Sequence, residues 1–296
     1  MSKPLFLVMP EWQGSSSSRA MQLTEGAALL REDLPASARR EVAVPLEAGD
    51  AMGTPVARLS SLLRARESAT RALDEIESHE VPVIVGGDCA SSLPGIEAAV
   101  RAHGSDRLAV LWFDAHPDLQ HPSTSPSGSA SGMTLRHALG DGSPDLAAAS
   151  PIAPALVTLV GARAIDAEEE DELERLGVEV LDPVTISGGI GLTSSPGHEL
   201  LAAAVTERLT ASGATRVYVH VDLDVLDPAE FSAVHAAVPF GLTAAQLTAA
   251  IRAAVSALPL AGATICEFAP ADPAVAADDL PTVLRILAAL TSGMTS

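Results

Sequence analysis

Short, continuous apolar runs recur along the chain at 5–9, 41–45, 81–85, 108–113, 156–161, 178–181, 216–222 and 263–267. Most lack polar alternation, which predicts strands covered on both faces, as in a parallel sheet. Between them lie segments of helical periodicity at 18–34, 56–79, 91–103, 133–139, 167–176, 198–212, 243–256 and 278–291. Such alternation predicts βαβ units: an α/β fold of three layers, α-β-α, around a central, mostly parallel sheet of about eight strands. Two stretches rich in Ser, Gly and Pro, 120–132 and 182–197, read as loops. The alternation resumes unchanged after the second, so a single domain over 1–296 is expected.

Composition narrows the partners. Hydrophobic residues make up 47% of the 296, enough for a sizeable core. No apolar run reaches the length of a membrane span. The N-terminus, with Lys3 as its one basic residue and a short apolar stretch ended by Pro10, is too little for a signal peptide, and a cytoplasmic protein is expected. A net charge of −20 argues against nucleic acid and anionic membrane, because both need clustered positive charge. Aromatics at 3% disfavour a stacking platform, and two cysteines make no disulfide framework.

In open parallel sheets ligands bind beyond the carboxyl ends of the strands, and there the polar residues collect. Run 81–85 leads into Gly86-Gly87-Asp88-Cys89, and run 108–113 into Asp114-Ala115-His116-Pro117-Asp118. Run 216–222 leads through His220 into Asp222-Leu223-Asp224-Val225-Leu226-Asp227-Pro228, and the last run ends in Cys266-Glu267. Asp114, His116 and Asp118 stand at i, i+2, i+4, and Asp222 and Asp224 at i, i+2. In extended backbone such residues project to one side. Carboxylates crowded in this way cannot all ionise without cations, and hard divalent metals with oxygen and imidazole ligands resolve the conflict. A lone Asp after a strand is also an ordinary helix cap.

The combination GGDC, DAHPD, DLDVLDP and a late CEFAP resembles the ureohydrolase family of arginases, agmatinases and formiminoglutamases, in order and over nearly the whole chain. That resemblance implies an arginase-like eight-stranded fold and two divalent metal ions, manganese in the first instance. Asp114 and Asp222 would bridge the ions, His116 and Asp224 would complete one site, and Asp118 and Cys89 the other. It also implies a metal-bridging hydroxide that attacks a guanidine carbon, with Glu267 receiving the guanidinium and Asp118 steering the proton. Ser127 and Asp166 fall where an arginase holds the α-carboxylate and α-amino group of its substrate, and Gln120 where it carries Asn. A homo-oligomer, trimer or hexamer, is the assembly the resemblance implies.

Two positions depart from the family pattern. Cys89 stands in place of a histidine ligand, and a thiolate suits zinc or iron(II) better than manganese, so weak occupancy on that side is expected. Ser131 stands where arginases carry a proton-shuttling histidine, and serine does not titrate near neutral pH. His121 and His235 are the candidate substitutes, and His220 reads as sheet packing. Both departures resemble the branch of the family that hydrolyses Nω-hydroxy-L-arginine, releasing hydroxyurea where arginase releases urea. Agmatine, a guanidino acid or formiminoglutamate as substrate, and a non-catalytic member, are the competing readings.

Overall fold

A computed structural model describes residues 2–182 and 197–294. The Ser/Gly-rich loop expected at 182–197 therefore lies outside the described residues except at its two ends. Eight strands form one sheet: β1 (Lys3–Met9), β2 (Arg39–Glu41), β3 (Glu80–Gly86), β4 (Leu108–Phe113), β5 (Val157–Val160), β6 (Glu179–Leu181), β7 (Arg216–Asp222) and β8 (Leu260–Cys266). Their order is β2-β1-β3-β8-β7-β4-β5-β6, and every pairing is parallel. Strands from both sides of residues 183–196 share this sheet, with β7 seated between β8 and β4.

The unbroken apolar runs follow from burial on both faces. Along β4, Leu108, Val110 and Trp112 pack on one side, and Ala109, Leu111 and Phe113 on the other. The second face is covered by α1 (Met21–Asp33), α6 (Gly197–Ala211), α7 (Ala244–Ala257) and α8 (Pro273–Leu290), through Leu30, Val205, Ile251 and Ile286 among others. The first is covered by α2 (Leu59–Asp74), α3 (Ser92–His103), α4 (Thr134–Ala138) and α5 (Ala167–Leu176), which contribute Ala65, Ile96, Leu135 and Leu173. No helix among the described residues is long and apolar enough to cross a membrane.

Several boundaries differ from the sequence expectation, among them the helix expected at 56–79, which spans Leu59–Asp74, and the strand expected at 263–267, which spans Leu260–Cys266; two differences have a readable cause. The second strand is Arg39–Glu41, not 41–45. Its ladder ends as Val42 donates to the Val8 carbonyl, and the Gln13 amide then takes the carbonyls of Pro45 and Glu47. A side chain thus holds the segment that the apolar pattern assigned to the sheet. Helix α8 begins at Pro273 rather than 278, because Asp272 accepts from the backbone of Ala274 and Val275 and proline suits the first helical position.

His137 on α4 is fully buried, and neither ring nitrogen finds a protein partner among the described residues. Burial, then Arg66 and Arg136, push its pKa down to about 3. Above pH 6.5 both folded and unfolded states are neutral there; below it the unfolded chain takes a proton that the folded one refuses, so stability falls with pH. Between pH 7 and pH 5 this group should remove about 2 kcal/mol. Urea unfolding of the protein and of His137→Gln at both pH values checks it: the two should converge as pH falls, and parallel curves would contradict the assignment.

Candidate active site

Strands β3, β8, β7 and β4 are neighbours at the centre of the sheet, and strands lie about 4.8 Å apart. Their carboxyl ends therefore bring GGDC, CE, DLD and DAHPD to one place, although these motifs are spread over nearly 180 positions of sequence. Register does the rest: Trp112 lies beside His220, and Asp222 beside Cys266.

The carboxylates are held by the turns that follow the strands. Asp222 accepts from the backbone of Asp224 at 2.7 Å, Asp114 from that of His116 at 2.7 Å, and Asp224 from that of Ala115 at 3.0 Å. Asp222 thus caps the short helical turn after β7, whereas Asp114 closes the turn after β4 and Asp224 ties the two turns together. Asp118 and Glu267 adopt left-handed backbone, φ 54° and 64°, a conformation that costs a non-glycine residue about 1–3 kcal/mol. Each is fixed there: the Asp118 carbonyl accepts from the Arg136 backbone, and the Glu267 backbone donates to the Gly87 carbonyl at 2.7 Å. Glycine is required at 87, where a Cβ would lie 1.6 Å from the Glu11 carbonyl oxygen.

Ligating atoms of Asp114, His116 and Asp224 lie within 4.8 Å of one another, and so do those of Cys89, Asp222 and Glu267. Asp118 joins Cys89, Asp114 and His220 in a further group of four within the same distance. His116 Nδ1 is 2.9 Å from Asp224 Oδ2, and the Cys89 thiol donates to Asp222 Oδ2 at 3.0 Å. Burial, reinforced by Asp224, raises Asp114 to about 7. Burial likewise raises Asp118, Asp222 and Glu267, helped by Asp114, Asp224 and Asp88 respectively. Burial works against protonation of His116, but hydrogen bonds to Asp114 and Asp224 outweigh it and raise the imidazole to about 11. Carboxylates driven to hold protons, and one buried Asp118 oxygen without a partner among the described residues, are what a site for divalent cations looks like before the cations are counted. The oxygen and imidazole donors suit hard ions.

Above this floor opens a cavity of about 540 Å³, lined by Cys89, His116, Asp118, Asp222, Asp224 and Glu267 below and by Gln120, Ser127, Ser131, Asp166 and His235 toward its mouth. Asp114 sits beneath the lining, buried, its Oδ2 accepting from the Trp112 indole at 3.0 Å. Ser127 accepts from the backbone of Ser129. Asp166 caps α5 by accepting from Glu169, so its turn-forming role and its place on the cavity wall coexist. Of the two histidines considered for proton transfer, His235 lines the cavity and His121 is not among its lining residues.

The arginase-family model matches residues 13–279. The chain belongs to the arginase family. It is 30% identical to the Nω-hydroxy-L-arginine amidinohydrolase of Streptomyces lavendulae over 93% of this chain and 94% of that one. With the arginase of Bacillus caldovelox it shares 30% over 72% of this chain and 69% of that one. Among solved structures, the arginase of Entamoeba histolytica superposes with a TM-score of 0.82 at 21% identity, covering 98% and 99% of the two chains. The formimidoylglutamase of Bacillus subtilis superposes at 0.76 and 18%, covering 99% and 87%.

Several residues of this arginase-family chain that face the site escaped the sequence reading. Ser15 to Arg19 line the cavity, from the loop that follows β1. Glu11 is buried and pushed up by burial and by Asp88, which is itself raised to about 7, by burial first. His220 was assigned to packing. It does stack on Trp112 at 3.6 Å, but its Nε2 faces Cys266 Sγ at 3.8 Å. Its parity with Asp222, two residues on, was the readable signal.

Proposed function

We propose that this member of a family of hydrolases of linear amidine C–N bonds acts on Nω-hydroxy-L-arginine in preference to L-arginine, releasing hydroxyurea. The observation that carries the reading is the pair of departures in one cavity: Cys89 and Ser131 both line it, and position 131 presents no titratable group. The relative from Streptomyces lavendulae, similar over nearly the whole chain, supports it.

Asp114, His116, Asp118, Asp222 and Asp224 would hold two divalent ions, manganese by donor type, with Cys89 as the sixth candidate. Such ions, when bound, supply positive charge that acidifies water and polarises the amidine. The chain's own groups do the rest. Glu267, its carboxylate facing the cavity beside Cys89, pairs with the cationic or hydrogen-bonding end of the substrate. Ser127 and Asp166 stand toward the mouth to take the α-carboxylate and α-amino group, which favours an amino acid over its decarboxylated form. Asp118, held in its left-handed conformation, has a free oxygen positioned to accept a proton. An N-hydroxyguanidine is less basic than a guanidine, so more of it is neutral and open to attack by the nucleophile.

The test is a substrate panel with the metal-loaded protein: Nω-hydroxy-L-arginine, L-arginine, agmatine and formiminoglutamate. Hydrolysis of the first alone, or far faster, read as the amine or amino acid each substrate releases, supports the proposal. Faster turnover of agmatine would shift the reading to a substrate without the α-carboxylate and remove the role of Ser127.

A further inference from the structure

The two cysteines of the chain lie side by side at the floor of the cavity, as free thiols with Sγ atoms 3.8 Å apart. His220 presents Nε2 to Cys266 Sγ at 3.8 Å, and the ligating atoms of all three residues lie within 4.8 Å of one another. Around a tetrahedral zinc ion, with Zn–S of about 2.3 Å and Zn–N of about 2.05 Å, two sulfurs stand about 3.8 Å apart and a sulfur and a nitrogen about 3.6 Å. The two edges that meet at Cys266, both 3.8 Å, are close to those lengths.

From this we infer that Cys89, Cys266 and His220 form a thiophilic metal site that takes zinc, distinct in chemistry from the oxygen-rich site of Asp114, His116 and Asp224. The imidazole is prepared for ligation. Ser92 Oγ pairs with its Nδ1 at 2.7 Å, and Trp112 stacks on its face at 10°. If Nδ1 carries the proton and donates to Ser92, the Nε2 lone pair is left aimed at the thiols, the usual support for a ligating histidine. Two thiolates, a neutral imidazole and a divalent ion sum to zero charge, which suits a place where all three side chains are buried. Binding releases the two thiol protons to solvent. Asp222 Oδ2 lies 3.0 Å from Cys89 Sγ, at the border with the oxygen-rich site. Cys89 also lines the cavity, so an ion has a way in.

The site does not depend on which amidine the protein hydrolyses, because its test reads the metal and not the turnover. Apo-protein with both thiols reduced is titrated with Co²⁺, and the near-ultraviolet band from thiolate-to-cobalt charge transfer is followed, then displaced with Zn²⁺. The intact protein should show the band and lose it to about one equivalent of zinc. Cys266→Ser should bind with the band reduced to about half, since one of two thiolates is gone. His220→Gln should keep the band but weaken zinc affinity at least about 10-fold. A cobalt-loaded protein without a thiolate band overturns the inference, whatever the variants do. An undiminished band in folded Cys266→Ser also overturns it, because Cys89 would then be ligating alone.

Discussion

Replacing Asp222 by asparagine is expected to lower kcat/KM for amidine hydrolysis at least about 10³-fold, the equivalent of about 4 kcal/mol of transition-state stabilisation. Asparagine keeps the shape and can still accept from the Asp224 backbone, the 2.7 Å bond that closes the turn after β7. What it removes is the negative charge that stands beside Cys89 and Glu267 and interacts with both Asp224 and Asp114. Stability of the metal-free protein should move the other way. Burial, then Asp224 and Asp114, raise the Asp222 pKa, so the folded state holds a proton that the unfolded chain gives up once pH passes its ordinary value near 4. Stability therefore falls as pH rises through that window, and an uncharged side chain escapes the penalty. Asp222→Asn should be inactive yet at least as stable at pH 7 in denaturant. Retained activity would remove Asp222 from the reaction. Lost activity together with lost stability would make it a turn-forming residue only.

The second large effect is expected from restoring the two departures. Cys89→His exchanges a soft ligand for a borderline one and should raise the manganese bound per chain, but it should not by itself give fast arginine hydrolysis, since position 131 still cannot donate a proton. Ser131 sits at the cavity edge, its Oγ 2.8 Å from Ser129 Oγ and its backbone donating to the Gly14 carbonyl. Adding Ser131→His puts a titrating group there, and general acid catalysis of this kind contributes about 10²–10⁴-fold. The double variant should therefore gain at least about 10² in kcat for L-arginine over Cys89→His alone. No gain in kcat over Cys89→His alone would mean that a histidine at position 131 does not reach the leaving amine, which is that of ornithine in both substrates.

Much of the architecture was legible because a parallel sheet buries its strands on both faces. The runs at 108–113 and 216–222 coincide with β4 and β7 residue for residue, and i, i+2 spacing at their ends announced Asp114, His116, Asp222 and Asp224. Edge elements were less legible. Strand β2 has three residues, and the apolar stretch after it is tied down by Gln13 rather than by a ladder. No periodicity reports a side chain that arrives from 32 residues away. The start of α8 was readable from Asp272-Pro273, whose capping chemistry outweighs the apolar pattern that begins later. The thiol pair and His220 were not readable from any one segment. They meet only because β8 inserts between β3 and β7, a strand order with two long crossovers that local sequence does not encode. Within a motif the spacing carried the information; between motifs the topology did.

The central claim is that this site hydrolyses the N-hydroxylated amino acid rather than arginine, with metal. The most direct measurement is kcat/KM for Nω-hydroxy-L-arginine and L-arginine on one manganese-loaded preparation, read as ornithine formed, and repeated after chelation. A ratio of at least about 10² in favour of the hydroxylated substrate is expected, with loss of both activities when the metal is removed. Equal rates on the two substrates, or turnover that survives chelation, would contradict it.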